Sequence, residues 1–139
     1  MAINRREARE AVFTLLFETE FKTNEDRAEI FALSCENREV AEDAYIRRVY
    51  FGVGEHQEEI DALIAKYAKG WKTARISRVS RSVLRLAIFE MRYLDDVPPS
   101  VAINEAVELC RKFDEESARA FVNGILNSIK DELAGAENV

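Results

Sequence analysis

The stretch "SVLRLAIFEMRYLDDVPPSVAINEAVELC", residues 82–110, places two apolar stripes of helical period on either side of a proline pair. Val83, Leu84, Ala87, Ile88 and Met91 recur at the three- and four-residue steps that line one face of a helix. Val101, Ala102, Ala106, Val107 and Cys110 repeat the pattern beyond the break. A proline offers no backbone N–H and its ring clashes with the preceding turn, so Pro98 and Pro99 stop the first helix, while the fixed φ suits the first turn of the second. The segment reads as helix, tight turn, helix, with Ser77 or Ser80 as the cap that starts it.

The same periodicity continues in both directions. Asp114 caps a last helix whose core stripe is Ala118, Phe121, Val122, Ile125, Leu126 and Ile129, and residues 134–139 read as a frayed tail. Gly124 inside that stripe costs about 1 kcal/mol against alanine unless a neighbouring helix needs the close approach. Upstream, Gly70 and Trp71 mark a break between two helical halves, about 1–69 and 71–133. From Val40 to Ala68 the apolar positions are Ala44, Tyr45, Val49, Tyr50, Val53, Ile60, Leu63, Ile64 and Tyr67, with Gly52 and Gly54 kinking or splitting the element. Asn24 or Thr23 caps a helix reaching Cys35 that buries Ala28, Phe31, Ala32 and Cys35. The first helix runs from Arg5 to Phe21, with Asn4 as its cap and Glu7 reaching back three residues later.

With 5 glycines and 2 prolines in 139 residues, the composition is poor in turn formers, and the expected fold class is all-α in a single domain. A chain of this length buries roughly two-thirds of its unfolded surface, enough to fold without a disulfide or metal. Cys35 and Cys110 read as buried free thiols. No apolar run approaches the roughly 20 residues that span a bilayer, and no signal-peptide core opens the chain, so a cytoplasmic, non-membrane protein is expected.

The residues that carry chemistry are few. The one histidine, His56, sits in the acidic stretch "GEHQEEID" and reads as solvated helix surface. Without a nucleophile, base and orienting group, a Gly-rich phosphate loop or clustered metal ligands, no catalytic residue, metal or cofactor is expected. Glu58 with Glu59 and Asp95 with Asp96 read as surface charge.

Charge placement says more. The net charge is -6, yet no acid lies between Asp61 and Glu90, where Lys66, Lys69, Lys72, Arg75, Arg78, Arg81 and Arg85 recur. A local positive potential therefore coexists with an overall charge that repels indiscriminate polyanion binding. Their spacing crosses the break at Gly70 and Trp71, so the seven need not share one face. Arg5, Arg6 and Arg9 crowd the start of the first helix, where the helix dipole disfavours cations by a few tenths of a kcal/mol each. Arg5 and Arg9 share a stripe with Val12, Phe13 and Leu16, which predicts a helix packed from Val12 onward with its first two turns projecting. Guanidinium groups bind phosphates bidentately and stack on unpaired bases, so this tip points to single-stranded RNA.

Taken together, "RREAREAVFTLLFE", "SVLRLAIFEM", "DVPPSVAINEAVELCRKF" and "RAFVNGILNSI" resemble the NusB family of transcription antitermination factors, in the same order along nearly the whole chain. The resemblance implies two three-helix bundles set across each other. It also implies binding of single-stranded boxA RNA in ribosomal RNA leader transcripts with a NusE-type small-subunit ribosomal protein, and through them indirect association with other Nus factors and RNA polymerase. Arg5, Arg6 and Arg9 are the implied RNA contacts; Tyr67, Ser80 and Arg81 are implied further along the RNA path. Many relatives carry a basic residue where this chain has Glu7, which implies one phosphate contact fewer. Asn104, Glu105 and Asn123 are implied either as structural polar partners or as part of the NusE face. The competing readings are a protein-interaction scaffold or homodimer that hides the arginine face, and the NusB-like domain of RNA 5-methylcytosine methyltransferases, for which 139 residues leave no catalytic domain.

Overall fold

The computed structural model describes residues 3–22, 24–37, 39–71 and 76–137, and every regular element among them is a helix. The order is α1 (Arg5–Phe21), α2 (Arg27–Glu36), α3 (Ala44–Glu55), α4 (Gln57–Ala68), α5 (Arg78–Tyr93), α6 (Pro99–Phe113) and α7 (Glu116–Glu137).

Local chemistry fixes most boundaries. The Asn4 side chain accepts from Glu7 N at 2.8 Å while its Nδ2 donates back to Glu7 Oε1 at 2.9 Å, a reciprocal cap that starts α1. Asp26 caps α2 in place of the expected Asn24, and Thr23 lies outside the described residues. The buried face of α2 is Ile30, Phe31 and Ser34; Ala28 and Ala32 are exposed and Cys35 is half-buried. Asp43 caps α3, which begins at Ala44, four residues after Val40, and the long element divides at His56. Ser77, not Ser80, caps α5. Pro99 stands in the first turn of α6, as its φ suits. The helix α7 runs on through Glu137, past the point where a frayed tail was expected.

The core centres on α5, which packs against α1, α3, α4, α6 and α7. Residues 82–90 are buried without a break, so the single stripe read from the sequence is an underestimate: Ser82, Arg85, Leu86, Phe89 and Glu90 are inside as well. A helix apolar on one face and buried on all needs partners for its polar side chains; Arg85 and Glu90 have them, while the Ser82 hydroxyl is buried without one among the described residues. Arg85 is clamped by Asp61 of α4, through Nε and Nη2 at 2.9 Å each, and by Glu20 of α1 at 2.8 Å. Burial works against the Arg85 charge, but the two carboxylates more than offset it and raise its pKa. Gly52 lets α5 approach, since a Cβ there would stand 2.3 Å from Phe89 Cζ. Gly124 does the same for Trp71, whose Cζ2 would be 2.5 Å away.

The one histidine, expected on a solvated helix surface, is half-exposed and engaged with its neighbours. His56 lies at the α3–α4 junction, stacked on Tyr93 at 4.2 Å, with Nδ1 3.1 Å from the Tyr93 hydroxyl. Cys110 is fully buried, which pushes its thiol pKa up to about 12.

Candidate nucleic-acid interface

The arginine-rich start of α1 lies against the C-terminal half of α5 on one side and α6 on the other. It does not project from the core: Ala8 and Arg9 are already buried. Each arginine is held by a different means. Arg9 enters the core and meets Glu90 of α5, Nε lying 3.0–3.1 Å from both carboxylate oxygens and Nη2 3.0 Å from Oε2. Only 7% of the Arg9 side chain and 1% of Glu90 are exposed, so each charge depends on the other. Burial raises the Glu90 pKa and the Arg9 charge opposes that rise. Arg6 pairs with Glu105 of α6, with Nε at 3.1 Å and Nη2 at 2.9 Å, yet its side chain remains 71% exposed. Arg5 is exposed and lies 4.3 Å over the Tyr45 ring of α3. Burial, and then the charge of Glu90, drives the Tyr45 pKa far above its ordinary value, so its hydroxyl stays protonated.

The structure thus corrects one expectation directly. Arg9 sits on the Val12–Leu16 stripe as read, but that stripe is core from Ala8 onward, and the arginine is drawn in by a buried carboxylate. Glu90 escaped the sequence reading because its partner is 81 residues away, whereas Glu105, implied there as a structural polar partner or part of the NusE face, is the partner of Arg6, 99 residues away. The signal for Glu90 was present: an acid inside the apolar run "RLAIFEM" implies a buried counter-charge.

The other candidate residues lie elsewhere. The chain directions run oppositely in α1 and α5, with Arg9 beside Glu90 and Glu20 beside Arg85. Arg81, 3.7 Å from Glu20, is therefore at the far end of α1, about 21 Å from Arg6 at the helical rise. Ser80 is buried, and its hydroxyl donates to Asp114 Oδ2 at 2.7 Å, beside that of Ser77 at 2.9 Å, which pins the start of α5 to the α6–α7 turn. The Tyr67 hydroxyl on α4 donates to Glu132 of α7, which also binds Lys66.

The basic residues from Lys66 to Arg85 do not form one described face. Lys66 is tied to α7, Arg78 lies 4.6 Å over Phe21, and Arg85 is inside, while Lys72 and Arg75 fall outside the described residues. Among the described residues no three metal-binding side chains are grouped, and no helix is long and apolar enough to cross a membrane.

Comparison with known proteins gives this surface its context. The NusB family model matches residues 6–131. The transcription antitermination protein NusB of Acetivibrio thermocellus is 43% identical, the match covering 91% of this chain and 88% of the relative. That of Bacillus subtilis is 38% identical over 94% and 98%. The solved structure of T. maritima NusB superposes with a TM-score of 0.82 at 38% identity, covering 95% of this chain and 94% of its own. A complex described as antitermination factors NusB and NusE with double-stranded RNA contains a chain that superposes at 0.79 with 28% identity, over 92% and 96%. Sequence over nearly the whole length and fold agree, and the chain belongs to the NusB family of transcription antitermination factors.

Proposed function

We propose that this antitermination factor binds the boxA segment of ribosomal RNA leader transcripts together with a NusE-type ribosomal protein, suppressing termination and supporting ribosomal RNA synthesis in the cytoplasm. Contact with other Nus factors and RNA polymerase is then indirect, through that pair. The observation that carries the reading is the pair Arg5 and Arg6, exposed side by side at the start of α1 on separate supports. A relative solved with NusE and RNA supports the choice of partners.

The roles within the expected site divide by exposure. Arg5 and Arg6 make the phosphate contacts, and Arg9 works from beneath by fixing the first turns of α1 to Glu90. Arg81 extends the path at the far end of α1, about 21 Å away, a distance that a few extended nucleotides cover. Ser80 shapes that end by holding Asp114, and Tyr67 offers a half-buried ring at α4.

The test is a titration of labelled boxA RNA, single-stranded and in a duplex, against a scrambled sequence, with and without the NusE-type partner. Wild-type protein prefers single-stranded boxA, and the partner tightens binding. Replacing both Arg5 and Arg6 with alanine lowers affinity at least tenfold and reduces the salt slope by about 1.4, two contacts at about 0.7 each on a single strand. Equal binding by the double variant overturns the site. Failure of every RNA to bind in both conditions favours a protein scaffold or homodimer.

A further inference from the structure

We infer that Glu105 is a positioning residue for this interface: it grips one edge of the Arg6 guanidinium and so presents the other edge to an RNA phosphate. The inference rests on the RNA reading above. The two side chains meet side-on, Arg6 Nε donating to Oε2 at 3.1 Å and Nη2 donating to Oε1 at 2.9 Å. A guanidinium carries five N–H donors in a rigid plane, so this grip spends two and leaves three, of which one on Nη1 and one on Nη2 share the end-on edge. Those two form the fork that accepts a second bidentate oxyanion.

Exposure assigns the roles. The Glu105 side chain is 16% exposed and the Arg6 side chain 71%, so the carboxylate is the anchor and the guanidinium the outward plate. Glu105 stands on a rigid support, between the buried residues Ile103 and Ala106 of α6. Arg6 also lines the open groove between α6 and α7, where Arg111 and Arg119 are paired with Glu108 and Glu116 at 3.6 and 3.4 Å, beside Asn104 and Asn123. An unsupported arginine loses its rotamer freedom when it binds, and one already held loses little. A phosphate that displaced Glu105 would leave a largely buried carboxylate without its partner, so the pair is kept and the second edge is used. Arg9 has the same kind of carboxylate grip without exposure, and Arg5 has exposure without a carboxylate.

The experiment compares full-length wild type, Glu105→Gln, Arg6→Ala and the double variant, using single-stranded boxA RNA over a range of salt concentrations, with melting curves for each protein. Glu105→Gln keeps the size and one acceptor oxygen but loses the charge and the second. It weakens binding about three- to tenfold, the cost of ordering one long side chain, with the melting temperature and salt slope unchanged. The loss disappears in the Arg6→Ala background. In RNA-free protein, the Arg6 Nε–H resonance exchanges slowly in wild type and is broadened in Glu105→Gln. Unchanged affinity, tighter binding with a steeper salt slope, a loss that persists without Arg6, or an unprotected Arg6 Nε–H in wild type overturns the inference. If wild type binds RNA but Glu105→Gln matches it, this inference alone fails; if wild type binds no RNA, the functional reading fails with it.

Discussion

Arg9 separates what a charge does for the fold from what it does for a ligand. Two guanidinium nitrogens and a carboxylate meet in a site that water barely reaches, and removing one partner strands the other. Arg9→Ala is expected to lose about 3–5 kcal/mol of stability, measured by urea unfolding, a large part of the 5–15 kcal/mol typical of a domain. Replacing both Arg9 and Glu90 with methionine is expected to cost far less or to stabilise, because a well-packed apolar pair avoids desolvation. A similar loss in both variants would show that packing rather than charge holds the site. Local chemistry was legible at this scale: Asn4 with Glu7 form the cap that three-residue spacing announced. The fate of Arg9 was not, because helical periodicity places it on the apolar stripe without saying whether that stripe is covered at its first turns. The cover is Glu90, 81 residues along the chain.

At the scale of elements, proline and glycine punctuation was read more easily than register. The Pro98–Pro99 stop, the start of α6 and the extent of α1 follow from backbone chemistry within a few residues. The inward face of α2 does not, since its alanines are small enough for either side and Phe31 fits more than one stripe. The choice of Ile30, Phe31 and Ser34 is made by what α2 meets: Phe31 lies near the rings of Tyr50 and Phe51 on α3. At Gly124 a close approach is present, but the neighbour is a side chain and not the expected helix: Trp71, between α4 and α5, covers the glycine and meets Phe121 edge-on at 5.3 Å. Gly124→Ala is expected to push the indole outward, destabilising by about 1–3 kcal/mol as an overpacked contact. Trp71 is the one tryptophan in the chain, so a red shift in its emission reports the displacement directly. An unshifted emission with unchanged stability would mean that the indole does not rest on α7 in solution.

For the whole molecule, the break at Gly70 and Trp71 divides the sequence more sharply than it divides the structure. The helix α5, first of the second half, is enclosed by α1, α3 and α4 of the first as well as by α6 and α7. Two buried or nearly buried charge groups cross the same boundary: Arg9 with Glu90, and Arg85 with Glu20 and Asp61. Within the long acid-free run, Arg85 is a structural tie between the halves. A state with one half unfolded would give up both charge groups and expose the apolar face of α5 that the other half encloses. The two halves are thus expected to unfold together. In urea, helical circular dichroism and Trp71 fluorescence are therefore expected to give one transition with a shared midpoint. Two transitions, or a fluorescence midpoint displaced from the helical signal, would make the halves independent units and reduce the charge ties to surface-like strength. The coupling also bears on binding, because Arg6 on α1 and Glu105 on α6 come from opposite sides of the break, and the geometry between them holds only while the halves stay joined through α5.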